Sequence, residues 1–270
     1  MESQQDTREG ETDMKGIRFL EYRDPFVYED YYLHPNKHTW TDWGLILKEK
    51  PDIAFPEVKT KYVEIDGADG QIDLTGILGG IVNYNDRMGS LTFVKVGNRD
   101  GWTSLKSKIA NYLHGRKMQM ILDEDKGYFY VGRFFLNEWT SDKKTGELVI
   151  DYELEPYKFN VLTSIDNWLW DTFNFETGVI RDLKNIPIVP NTVVQIPRVI
   201  RRLVPTLTVI TEGQTGFHVV GKYGVYGIYS EFDLPDGTYK DPKLIFKDTQ
   251  TYTFLSGTGT ITIDFRDGSL

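Results

Sequence analysis

The sequence predicts a mainly β chain of two domains, with one helix set against the first. Three observations carry this. Short runs rich in β-branched and aromatic residues recur along the 270 residues, separated by clusters of Gly, Asp, Asn and Ser. A single segment shows helical rather than alternating spacing. A proline-dense tract divides the strand-rich halves.

Residues 1–13 lack hydrophobic content and are expected to be disordered. Order begins at Met14, with "GIRFLEYR" as a short strand. The stretch Asp24 to Trp43 is crowded with Tyr, Trp and Pro and is expected to be a long ordered loop. Strands follow in "LILKEK", "KYVEID", "SLTFVKV", "MQMILD", "YFYVGRFFLNEW" and "ELVIDYELEP". The helix is "TSLKSKIANYLHG", where Leu105, Ile109, Tyr112 and Leu113 share a face. Thr103 or Ser104 is expected to cap it, and Gly115 to end it. The tract Arg181 to Thr206 holds Pro187, Pro190, Pro197 and Pro205, which rule out a helix interior and favour extended edges and turns. It is expected to be a connector, with Arg198, Arg201 and Arg202 solvated on it. Short alternating strands beyond it, "TLTVITE", "GFHVVG", "VYGIYSEF", "PKLIFKD" and "GTGTITIDFRDG", indicate a β-sandwich or barrel. The two domains are expected to join near residues 156 to 170, as residues 14–162 and 163–270.

Composition removes several classes of function. Forty acidic against 31 basic residues give a net charge of -9, which disfavours phosphate-backbone binding. Without cysteine there is neither a disulfide framework nor a thiolate metal site. No apolar run reaches the length of a membrane span, and the polar, acidic N-terminus is unlike a signal peptide. A soluble protein made in a cytosol is expected.

The candidate sites each favour a structural role. "DKGYFYVGRFF" (Asp125 to Phe135) superficially suggests the base-stacking strand of an RNA-binding domain. That pattern needs Gly or Ala where Phe129 stands and an aromatic where Arg133 stands. A strand packed on both faces is expected instead. "DEDKG" (Asp123 to Gly127) lacks the closing bidentate Glu of a calcium loop and reads as a hairpin turn. His34 and His38 stand four apart with Pro35 between them and no third ligand, so zinc is not expected. His114 and His218 are isolated. Gly221, Gly224 and Gly227 lie between strands, not between a strand and a helix as dinucleotide binding requires. No nucleophile elbow or phosphate loop is present. Neither a catalytic constellation nor a cofactor is expected.

The pattern as a whole resembles the distal tail protein family of long-tailed siphophages. The resemblance is carried by "WGLILKEK…PEVKTKYVEIDGADGQIDLTGILGG", "SLTFVKV", "KIANYLHGRKMQMILDED", "YFYVGRFFLNEW", "GELVIDYELEPYKF" and "GTGTITIDFRDGSL", in order, from Met14 to Leu270. It implies an N-terminal tail-tube-like β domain with one helix and a C-terminal galectin-like β-sandwich. It also implies a non-enzymatic, homohexameric ring at the distal end of the tail. Such a ring joins the major tail (tube) protein to the tail-tip protein and anchors receptor-binding or other baseplate proteins. DNA would meet the protein only in transit, and part of the acidic charge is expected to line the channel. The extension before Met14 and the loop Leu20 to Trp43 are longer than in a minimal member.

Two surfaces are candidates for contact. Lys48 to Ile65 is extended and broken by prolines, which suits an arm on an adjacent subunit, with Ile53, Phe55 and Val58 as its apolar contacts. The alternative function is host cell-wall glycan adhesion by the sandwich. All six Trp lie at or before Trp170, so Tyr223, Tyr226 and Tyr229 would have to stack the sugar. A cell-wall hydrolase is the third reading, disfavoured by the missing catalytic groups.

Overall fold

A computed structural model describes residues 16–22, 36–67, 69–76, 82–97, 100–142, 144–166, 182–223, 228–247 and 249–270. The expected disordered extension 1–13, most of the aromatic loop, and the "NWLWDTFNFETG" stretch lie outside the described residues. The chain forms two compact units that part between Pro156 and Tyr157, six residues before the expected 162/163 division. The difference has a local cause. Lys158–Asn160 is a strand paired with Gly268–Ser269, so the second unit begins by pairing with its own end.

The first unit contains β1 (Ile17–Glu21), β2 (Asn36–His38), β3 (Ile46–Leu47), β4 (Tyr62–Glu64), β5 (Gln71–Asp73), β6 (Arg87–Val96), α1 (Trp102–Leu113), β7 (Lys117–Leu122), β8 (Tyr128–Ser141) and β9 (Thr145–Leu154). Seven strands run in the order β2-β1-β7-β8-β9-β6-β3, each pair antiparallel. Alternation sets the faces. In β9, Leu148, Ile150, Tyr152 and Leu154 are buried, while Glu147, Asp151 and Glu153 take the other phase. In β8, Phe129, Tyr130, Val131 and Gly132 are buried in succession, so this strand is covered on both faces, as expected.

The helix lies where its spacing placed it and buries Trp102, Ile109 and Leu113. Its start differs. Gly101 at φ 81 precedes the first turn, and no side chain caps it, neither Thr103 nor Ser104. Packing of Trp102 decides this. A Cβ on Gly146 would stand 2.6 Å from its ring, and Trp139 meets it edge-on at 6.3 Å. At the other end Gly115 takes φ 74, and its N–H donates to the Phe134 carbonyl at 2.8 Å.

The second unit contains β10 (Lys158–Asn160), β11 (Ile186–Ile188), β12 (Val193–Ile196), β13 (Thr206–Thr211), β14 (Gly216–Tyr223), β15 (Ile228–Pro235), β16 (Gly237–Tyr239), β17 (Gln250–Ser256), β18 (Gly259–Asp264) and β19 (Gly268–Ser269). Two four-stranded sheets, β11-β18-β13-β16 and β12-β17-β14-β15, enclose one core that includes Phe217, Phe246, Phe254, Ile261 and Ile263. The proline tract is therefore not a connector: it supplies an edge strand to each sheet. Pro187 sits in edge strand β11, where a missing N–H costs no ladder bond. Nor is Arg201 merely solvated. Its guanidinium lies 4.9 Å over the Phe159 ring, and Nη2 donates to the Arg266 carbonyl at 3.0 Å.

Candidate interaction site

Beyond β3 the chain leaves the sheet, because Pro51 and Pro56 cannot donate to a ladder. The segment is nevertheless anchored at successive residues. Ile53 is half-buried and packs on the core of its own unit. The Ala54 carbonyl accepts a hydrogen bond from Arg87 Nη1 at 3.0 Å. Pro56 is buried. Asn85 N–H donates to the Glu57 carbonyl and Lys59 N–H to the Asn83 carbonyl, both at 2.8 Å, and Val58 bridges to Tyr84. Further out, Leu74 N–H donates to the Lys61 carbonyl, and β4 pairs with β5 through Tyr62↔Asp73, Val63↔Ile72 and Glu64↔Gln71.

This arm exposes what a core normally hides. Phe55 is 81% exposed and Val58 43%. Tyr62, Val63, Ile65, Ile72 and Val82 are exposed too. All three residues of β4 and all three of β5 are exposed, so neither face of the hairpin is covered. An isolated two-stranded hairpin is at best marginally stable in water, and so many exposed apolar residues on one segment point to an interaction site. Of the three residues proposed from sequence as arm contacts, Phe55 and Val58 face solvent. Ile53 does not share their position, because it anchors the arm to its own core.

The hairpin is also acidic. Residues 62–76 hold Glu64, Asp66, Asp69 and Asp73 and no basic residue. Hydrogen bonds from the Thr75 hydroxyl and N–H hold the Asp73 carboxyl below its usual range, so it stays charged.

The other candidate residues make local contacts where described. His38 is buried. Its Nδ1 accepts from Thr41 N–H at 3.3 Å, so Nε2 carries the proton and donates to Asp123 at 2.8 Å. The same Asp123 oxygen accepts from Gly16 N–H, so the "DEDKG" turn uses its first carboxylate to tie down β1. His114 Nδ1 accepts from Leu136 N–H, and His218 Nδ1 lies 2.7 Å from Asp233. His34 and Tyr226 lie outside the described residues, as do the side chains of Tyr223 and Tyr229. In backbone register Tyr223 pairs with Ile228 and Tyr229 with Lys222, so these two tyrosines are not opposite each other. Among the described residues no group of three His, Asp or Glu is placed to hold a metal. A cavity of about 520 Å³ is lined by Asp42, Trp43, Lys95, Asp100 and Trp102. Its lysine ammonium is engaged by the Trp43 carbonyl at 2.8 Å.

Sequence reasoning missed Arg87. It is 4% exposed, and besides Ala54 it donates from Nε and Nη2 to the Pro156 carbonyl at 2.9 and 2.7 Å. Its guanidinium lies 5.7 Å over the Tyr130 ring, and burial lowers its pKa. Both partners are backbone carbonyls, which leave no mark in a sequence.

The architecture defines the class first: a mainly β, two-unit protein with one helix among the described residues and an uncovered hairpin arm. No family model matches the chain, and no curated protein matches it. Among solved structures it is similar to the crystal structure of SPP1 Dit (gp 19.1), described as a paradigm of the hub adsorption apparatus in phages infecting Gram-positive bacteria. The TM-score is 0.56 with 15% identity, over 87% of this chain and 96% of that one. At that identity the likeness establishes a shared fold.

Proposed function

We propose that this protein is a structural hub of a siphophage tail tip: a ring of six copies in the virion, made in the host bacterial cytoplasm. The ring joins the tail-tube protein to the tail-tip protein and anchors receptor-binding or other baseplate proteins, with DNA passing through its channel. The observation that carries this reading is the uncovered arm. A closed cyclic assembly covers such an arm on every copy and leaves none free to pair at random. The fold shared with SPP1 Dit supports the same reading.

The test is direct imaging. Purified protein viewed in negative stain, alone and with polymerised tail-tube protein, should show hollow six-fold rings that cap tube ends. Monomeric particles with bare tube ends in both samples would defeat the proposal.

A further inference from the structure

Arg87 is the only buried arginine or lysine among the described residues. No carboxylate among them pairs with it, and each of its three nitrogens donates to one of two backbone carbonyls. A buried guanidinium is tolerable only when its N–H groups are met. The planar fork holds its acceptors in fixed directions. Arg87 therefore sets the position of Ala54 against that of Pro156, the last residue of the first unit. Ala54 lies between Ile53, packed into the core, and the exposed Phe55, and Pro56 beyond is buried. Phe55 is thus a large aromatic side chain held outward on a backbone fixed at both sides. An anchor ordered in advance loses little conformational freedom on association, and central aromatic anchors carry a large share of interface energy.

We propose that Arg87 is a positioning residue that presents Phe55 as a preformed anchor for a second copy of this chain, and that it couples the arm's root to the chain's exit at Pro156. Charge indicates the second copy as the occupant. Residues 62–76 of the hairpin carry four carboxylates and no cation, with Lys59 and Lys61 at its root, while α1 carries Lys106 and Lys108, both exposed, and no acid. A head-to-tail contact between copies brings these opposite charges together, and contacts of that kind close into rings. This inference rests on the ring proposed above and adds how its arm is set.

The experiment compares the full chain with Arg87→Lys and Phe55→Asp. Lysine keeps the charge but cannot bridge both carbonyls in the arginine geometry. Expected for Arg87→Lys is at least a tenfold rise in the concentration at which the assembly dissociates. Hydrogen exchange should rise together in peptides 51–58 and 154–160, with no rise in the core peptide 148–152. Phe55→Asp should weaken assembly similarly while peptide 154–160 stays protected. Assembly of Arg87→Lys at the wild-type concentration, or a uniform rise in exchange across the core, would overturn the positioning role. A wild-type protein that stays monomeric would overturn the docking half through the ring reading itself. Exchange read in that monomer tells this failure apart from failure of the Arg87 link.

Discussion

The two units differ in what their strands leave uncovered. In the second, the alternating strands of both sheets turn Phe217, Phe246, Phe254, Ile261 and Ile263 into a single core. Two of its four edge strands are blunted by proline or charge: β11 carries Pro187, and β15 carries Glu231 and Asp233 and ends at Pro235. The first unit has an equally complete core, but a hairpin leaves it with aromatic and β-branched residues exposed on both faces. The second unit also exposes apolar residues, among them Val193 and Ile210, but the strands that carry them bury their other face, whereas the hairpin of the first unit buries neither. Stability and assembly should therefore be separable by mutation.

The largest effect expected is from replacing residues 60–75 with a short Gly-Ser link. Light scattering should then show a monomer, while circular dichroism still shows a cooperatively folded β protein. Retention of the full assembly would place the interface elsewhere.

Next is the core of the second unit. Phe246→Ala, at a fully buried position, should cost about 3–5 kcal/mol in denaturant unfolding. Below the transition its assembly mass should be unchanged. A loss of assembly without loss of fold would break the division of labour.

Phe55→Asp should do the reverse. At 81% exposure it should leave the melting temperature of the dissociated chain nearly unchanged. It should weaken assembly by about tenfold to a hundredfold, the range of an aromatic anchor.

Asp264 gives a smaller, pH-dependent effect. It is 5% exposed, its Oδ1 has no hydrogen-bond partner, and burial pushes its pKa up to about 7, with Arg266 opposing. The folded state thus binds the proton more tightly than the unfolded chain, whose group titrates near 3.8. The stabilising contribution is full below pH 3.8 and is lost as pH rises toward 7. Asp264→Asn should therefore stabilise the second unit above pH 7, by on the order of 2 kcal/mol, with the gain vanishing near pH 4. An equal gain at both pH values would show that packing, not titration, is responsible.

Most of the fold was legible because it follows from alternation. "ELVIDYELEP" states its buried face outright, and "KIANYL" places Ile109 and Leu113 on the core side of a helix. Three features were hidden by tertiary contacts. Burial of Trp102 moved the helix start from a polar cap to Gly101. Ladders to β17 and β18 turned a proline tract from a connector into two edge strands. At the arm, prolines and extended chain pointed to the segment, but its residues divide by neighbours that no local pattern encodes. Ile53 turns inward, and Phe55 turns outward beside a carbonyl held by Arg87.

The measurement that tests the central claim most directly is the solution mass of the purified full chain by light scattering across a dilution series. The account predicts six times the 31.2 kDa chain mass, or twelve times if two rings stack, with dissociation on dilution made easier by Phe55→Asp. A mass of 31.2 kDa at every concentration, unchanged when tail-tube protein is added, would contradict it.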